Sequence, residues 1–224
     1  MNLLTIAREK LATAGNLLKQ AVRKIYSLYA KVALVHVNKV PIPTNEHFFP
    51  PDYGDLYNLF RLAMKLRPRV SLEVGSGYST LVFAEALRRI IEEEGGAGRV
   101  HYCLEQDETY LELIKDYLGP EHSKYVKFVK TSLMVREVAN QKVSICSDFP
   151  DVVVDLFYED RTDHSEFPIA GDALSIEIQM PVTFAICVDG MRPTVDFYKR
   201  NLKRDYRISG RGFHGTNFLP RRVG

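Results

Sequence analysis

Arg69-Val-Ser-Leu-Glu-Val-Gly-Ser-Gly-Tyr-Ser-Thr-Leu-Val-Phe-Ala-Glu-Ala-Leu87 holds a strand, a turn and a helix start in one run. Residues 70–74 are a short, mostly apolar run that reads as a buried strand. Gly75-Ser-Gly77 breaks it. Ser79 or Thr80 is placed to cap a helix in which Leu81, Val82, Ala84 and Leu87 recur at helical spacing. Glycines let a ligand approach the backbone, and a helix start offers N–H groups without intrahelical partners. Together they form a nucleotide-type pocket.

A dinucleotide fingerprint needs a third glycine where this chain has Thr80, so its close helix–strand packing is not encoded. The stretch instead carries an acid, Glu73, two residues before its first glycine. Leu72-Glu-Val-Gly-Ser-Gly-Tyr-Ser-Thr80 resembles motif I of the class I S-adenosylmethionine (SAM) dependent methyltransferases. The resemblance implies SAM as cofactor and S-adenosylhomocysteine (SAH) as product. It places Glu73, Gly75, Ser76, Gly77, Tyr78, Ser79 and Thr80 at the cofactor, with Glu73 holding its methionine part, partly through water.

At 224 residues the chain is long enough for one domain with an extension and a full core. Cys103, Cys146 and Cys187 are far apart, each in an apolar run, and read as buried reduced thiols. No apolar run is long enough to span a bilayer, and the first ten residues lack the order of a signal peptide. The expected location is the cytoplasm, with a peripheral membrane association as an option. Residues 1–40 carry seven basic residues against Glu9 alone, a net charge of +6, which leaves −4 for the rest of a chain whose total is +2.

That basic segment reads as one helix over residues 2–36. Leu4, Ala7, Leu11, Ala14, Leu18, Ala21, Ile25, Leu28, Val32 and Val35 form a heptad-like stripe. Three roles fit: packing on its own domain or in a homodimer, lying on an anionic membrane surface, or covering the substrate site. Residues 38–53 are a proline-broken connector expected to border the cofactor pocket, and a helix over 54–67 ends before Pro68.

Beyond motif I, residues 100–104 read as a strand ending at Glu105 and Gln106. An acid about 30 residues past the first glycine suits ribose hydroxyls. Glu105 matches the family's second acidic position, and Gln106 adjoins it. Asp107 caps a helix over 108–118. After the strand at 125–129, Thr131-Ser132 replaces the Gly-Asp with which many relatives read adenine, leaving Ser132 or a backbone group for that contact. Residues 134–149 suggest a short helix and an edge strand at 143–146. The fourth strand, 151–160, delivers Glu159 and Asp160 to the sheet's carboxyl edge, with His164 in the loop beyond. A helix at 173–180 precedes a fifth strand at 182–188, closed by Asp189-Gly190.

The Asp-Gly ending resembles small-molecule and sugar O-methyltransferases, in which this acid faces the active site. Metal-dependent relatives carry Asp-Asn there, so no metal is expected. A helix at 194–203 and strands at 206–210 and 216–219 close the chain. Five arginines near the C-terminus suggest an anionic group on the acceptor.

The expected fold is α/β: a Rossmann-like, seven-stranded, mostly parallel sheet with helices on both faces, a C-terminal antiparallel hairpin and an N-terminal helical extension. Residues 1–53 form the basic helix and connector, and 54–224 the methyltransferase domain. The expected function is SAM-dependent O-methylation of a small-molecule or sugar-like acceptor. Asp189 leads as base, with Glu159, Asp160 and His214 in reserve. The alternatives are a non-catalytic scaffold with a docking helix and an NAD-dependent oxidoreductase. A nucleic-acid partner is not expected, because the body lacks a basic face with interleaved aromatics.

Overall fold

The computed structural model describes residues 3–38, 40, 42, 50–95, 98–161, 169–210 and 215–221. Among these residues, nine strands and six α-helices follow one another. Seven strands form one sheet in the order β3-β2-β1-β6-β7-β9-β8, and β4 and β5 form a separate hairpin. β1 (Val70–Val74) pairs in parallel with β2 (Val100–Glu105) on one side and β6 (Leu156–Glu159) on the other. β3 (Val126–Lys130) and β7 (Ala185–Val188) extend the parallel part. β8 (Tyr206–Ser209) and β9 (Thr216–Pro220) add the antiparallel edge. The seven-stranded α/β architecture expected from the sequence is the one observed.

Strand residues alternate between the two faces of this sheet. Tyr158, Ala185 and Cys187 pack under α2 (Tyr53–Leu66), α3 (Tyr78–Glu94) and α4 (Glu108–Ser123). Leu72, Val74, Phe157, Ile186 and Val188 face α6 (Arg192–Asn201), α5 (Asp172–Ile176) and the β4–β5 hairpin. Both faces are covered, as a parallel sheet requires. All three cysteines are buried and unpaired.

Local chemistry explains most element ends. Asp52 caps α2 by accepting from the N–H groups of Gly54 and Asp55 at 2.9 and 3.3 Å. Asp107 caps α4, as expected, by accepting from Thr109 and Tyr110. α4 runs on to Ser123, past a kink at Gly119-Pro120, beyond the expected residue 118. α3 starts one residue after Gly77, so neither Ser79 nor Thr80 is its cap. Thr80 lies one turn in, where its hydroxyl accepts from the Gly77 N–H at 3.2 Å.

Three expectations change. No helix forms between residues 134 and 149; Leu133–Val138 (β4) and Gln141–Cys146 (β5) pair as a hairpin whose turn residues, Ala139 and Asn140, both have positive φ. β6 and β7 begin later than expected, at Leu156 and Ala185. The N-terminal helix is α-helical over Leu3–Lys31 (α1) and continues as a π-helical turn, Val32–Val37. Among the described residues, no helix is long and apolar enough to cross a membrane.

One close approach fixes the centre of the sheet. Gly75 has φ +95°, and a Cβ there would lie 2.3 Å from the backbone oxygen of Asp160. Gly75→Ala is therefore expected to destabilise the fold by about 3 kcal/mol or more, measured as a shift in the urea midpoint. A midpoint unchanged from that of the parent chain would refute the steric account.

Candidate active site at the carboxyl ends of the central strands

The chain leaves β1 towards β2 and β3 and returns to β6 on the other side of β1. A crevice opens at such a reversal, beyond the strands' carboxyl ends. Here it is a cavity of about 530 Å³. The turns after β1, β2, β6 and β7 meet there with the start of α2. Sheet hydrogen bonding carries on into these turns. Gly75 donates to Leu104 at 2.9 Å, Asp160 to Val74 at 3.1 Å and Asp189 to Glu159 at 2.9 Å. The side chains at the strand ends are thus held by the ladder itself.

Glu105 ties two of the turns together. Its Oε2 accepts from the N–H and the hydroxyl of Ser76, each at 2.7 Å. Its Oε1 accepts from the N–H groups of Gln106 and Asp107 at 2.7 and 2.8 Å. Three of these donors are fixed backbone groups; the Ser76 hydroxyl alone can rotate away. Ser79, on the first turn of α3, also lines the cavity. It is 2 % exposed, and its buried hydroxyl has no hydrogen-bond partner.

The far wall is acidic. Asp55 at the start of α2, Asp160 after β6 and Asp189 after β7 all line the cavity. Burial and then the neighbouring charges of Asp189 and Asp52 push the Asp55 carboxyl up to about 8, with Arg23 opposing them. Burial, followed by Asp189 and Glu73, holds Asp160 well above the usual carboxylate range, although the Tyr158 hydroxyl donates to it at 3.4 Å. Desolvation and like charges act together on these groups. Asp52, Glu105 and Asp107 add further acids to the lining, against Arg161 as the one basic residue there among the described residues.

Arg161 is already committed. Its guanidinium donates to Glu159 at 2.8 Å, to the Ser144 hydroxyl at 3.3 Å and to Asp172. The Tyr198 hydroxyl donates to the other Glu159 oxygen at 3.1 Å. Glu159 therefore has both oxygens engaged in a buried ion pair on the α6 side of the sheet. It is not among the cavity residues, contrary to its place among the candidate bases. The pleat is the reason: Tyr158 faces α3, so the next residue faces α6.

The other expected residues divide in the same way. Gly75, Ser76, Gly77, Tyr78, Ser79, Glu105, Gln106, Asp160 and Asp189 line the cavity, and so do Pro50 and Pro51 of the connector. Glu73 and Thr80 do not. They are buried beneath α3, where the Thr80 hydroxyl donates to Glu73 and His101 Nε2 stands 2.9 Å from the same carboxylate. His101 is fully buried and stacks on Phe83 at 4.3 Å. Ser132 is exposed and bonded to Ser147 rather than to the cavity. Its neighbour Thr131 instead borders a small recess with Glu105 and Gln106. His214 and His164 lie outside the described residues. Asp55 was not legible as a site residue, since nothing local to α2 says which strand ends it meets. Among the described residues, no group of three or more His, Cys, Asp or Glu is arranged to hold a metal ion.

No protein-family model and no curated protein matches the sequence. Solved structures do match the fold. A methyltransferase from Podospora anserina with SAH bound is 16% identical, over 86% of this chain and 88% of its own, with a TM-score of 0.53. An O-methyltransferase from Bacillus cereus in complex with SAH is 16% identical over 89% and 97%, with a TM-score of 0.52. An O-methyltransferase of tomaymycin synthesis from Streptomyces achromogenes, in complex with SAM, is 15% identical over 88% and 98%, with a TM-score of 0.52. At these identities the likeness is one of fold, the seven-stranded α/β sheet expected from the sequence.

Asp55 gives a test of the acidic wall. Its ordinary value is 3.8 and its folded value about 8, so between these pH values the folded chain holds a proton that the unfolded chain releases. This contribution is therefore fully present below about pH 4 and lost as pH rises through 8. Asp55→Asn is expected to melt above the parent chain at pH 9 and level with it near pH 4. Equal melting temperatures at both values would show that Asp55 ionises freely.

Proposed function

We propose that this chain is a SAM-dependent methyltransferase acting on a hydroxyl of a small-molecule acceptor. The observation that carries the proposal is the convergence of the Gly75–Gly77 turn, Glu105 and the first turn of α3 on one cavity at the sheet's reversal point. Residues 54–224 are read as the catalytic domain. Residues 1–53 are read as an extension whose last residues, Pro50 to Asp52, complete the cavity rim.

SAM supplies a methyl group on a positively charged sulfonium. The cavity's acids suit that charge. Gly75 and Gly77 let a ligand lie against the backbone. Glu105 is read as the ribose partner. The Ser76 hydroxyl shares its Oε2 and turns aside for the incoming group. Among the family's acidic positions, Glu73 is read as a support that holds Thr80 and the start of α3.

The acceptor's hydroxyl must lose a proton as it attacks. Asp189 is read as its base, with Asp160 and Asp55 beside it. Carboxyls pushed upward by burial and like charge are stronger bases near neutral pH than exposed ones. In-line transfer also gains from alignment within a partly enclosed cavity. The same acids disfavour an anionic acceptor. Of the arginines that suggested one, Arg204 is bound to the carbonyl oxygens of Met180 and Pro181, and Arg221 pairs with Asp205. Neither they nor Arg207 lines the cavity. A neutral or cationic acceptor is the better fit.

Calorimetric titration with SAM and SAH tests the cofactor. Micromolar binding is expected, weakened at least about 100-fold in Glu105→Ala, with circular dichroism confirming that the variant folds. No binding by the folded parent chain would return Gly75–Gly77 to a purely structural turn. Once an acceptor is found by SAH release, Asp189→Asn is expected to lower kcat by about 10²–10⁴-fold with little change in SAM affinity. Full activity in that variant would remove Asp189 as the base.

A further inference from the structure

α1 has an inner and an outer side. Its C-terminal half and the π-helical turn after it dock on α2: Ala30, Ala33 and Leu34 are all buried, and the Tyr26 hydroxyl donates to Asn58 at 2.8 Å. Arg23 reaches Asp52 at 2.7 Å. The outer side makes a different surface. Leu17, Leu18, Val22, Ile25, Leu28 and Val32 are 45–70 % exposed. At 100° per residue these six fall within an arc of about 140°, one continuous apolar stripe. Exposed apolar stripes of this kind mark interaction surfaces.

Charge selects the partner. Residues 10–45 contain no acid, while Lys24 borders the stripe, about 20° outside its edge at Leu17, and Lys19 lies about 60° beyond the opposite edge at Val22. Lys24 lies one turn before Leu28, and Lys19 one turn before Val22. A second copy of this helix would bring the same positive flanks and no acid with which to pair them, which weighs against the homodimer suggested by the heptad-like spacing. A surface that is both apolar and anionic complements the stripe and its lysines together.

We infer that the outer face of α1 binds the surface of an anionic lipid bilayer. The helix lies along the interface rather than across it: Leu18, Ile25 and their neighbours enter the headgroup–acyl boundary, and Lys24 at the edge of the stripe meets lipid phosphates. The docked inner face leaves the catalytic domain attached in the aqueous phase. This surface is independent of the methyl-transfer reading and stands or falls without it.

Sedimentation of the full-length chain with phosphatidylcholine vesicles, with and without about 30 % phosphatidylserine, tests the inference. Binding is expected on the anionic vesicles, much weaker binding on the neutral ones, and loss of binding at about 1 M salt. Leu18→Glu with Ile25→Glu is expected to weaken it at least about tenfold, and so is Lys19→Glu with Lys24→Glu. Ile178→Glu, at an apolar residue 78 % exposed elsewhere, serves as control and is expected to bind like the parent. All five substituted positions are exposed, so circular dichroism should show an unchanged fold. The inference is overturned if the folded chain ignores anionic vesicles or binds both kinds equally. It is also overturned if light scattering finds a dimer that Ile25→Glu dissociates while vesicle binding is absent.

Discussion

The backbone contact between Gly75 and Asp160 is the constraint on which the site depends. β1 and β6 run side by side and end together, and only a residue without a Cβ lets the turn after one pass against the end of the other. That closeness sets Ser76 within reach of Glu105 on one side and brings Asp160 and Asp189 to the opposite wall. A wider separation would turn one cavity into two grooves.

Beneath the cavity, the pleat sorts the acids into two kinds. Glu73 and Glu159 sit within strands and point to opposite faces, each towards a buried partner: Thr80 and His101 for one, Arg161 and Tyr198 for the other. In the second set, removing Arg161 would leave a buried charge without compensation, so the pair holds its surroundings in place. Glu105, Asp160 and Asp189 lie where the strands give way to turns, and their side chains reach the cavity. One residue of displacement along β6 separates a structural carboxylate from a candidate base.

The electrostatic character of the molecule is divided by place. Acids gather at the cavity, and burial together with their proximity keeps protons on Asp55 and Asp160 to higher pH than exposed carboxyls would hold them. Basic residues gather on the N-terminal helix, which carries its apolar stripe outwards. The Arg23–Asp52 pair links the two regions at the cavity rim. A near-neutral total charge conceals both.

Local sequence determined the elements and the type of fold. The strand–glycine–helix order around Gly75, the apolar runs of the later strands and the caps at Asp52 and Asp107 act over a few residues, and short-range chemistry specifies them. It did not determine which face of a strand each acid occupies, because that depends on which helices cover each side of the sheet. The hairpin of β4 and β5 escaped notice because its turn residues, Ala139 and Asn140, give a weaker signal than Asn-Gly. Only the tertiary structure brought Asp55 to the strand ends, buried Glu73 under α3 and left Ser79 facing a cavity. Those outcomes depend on contacts between segments distant in sequence, which no local pattern encodes.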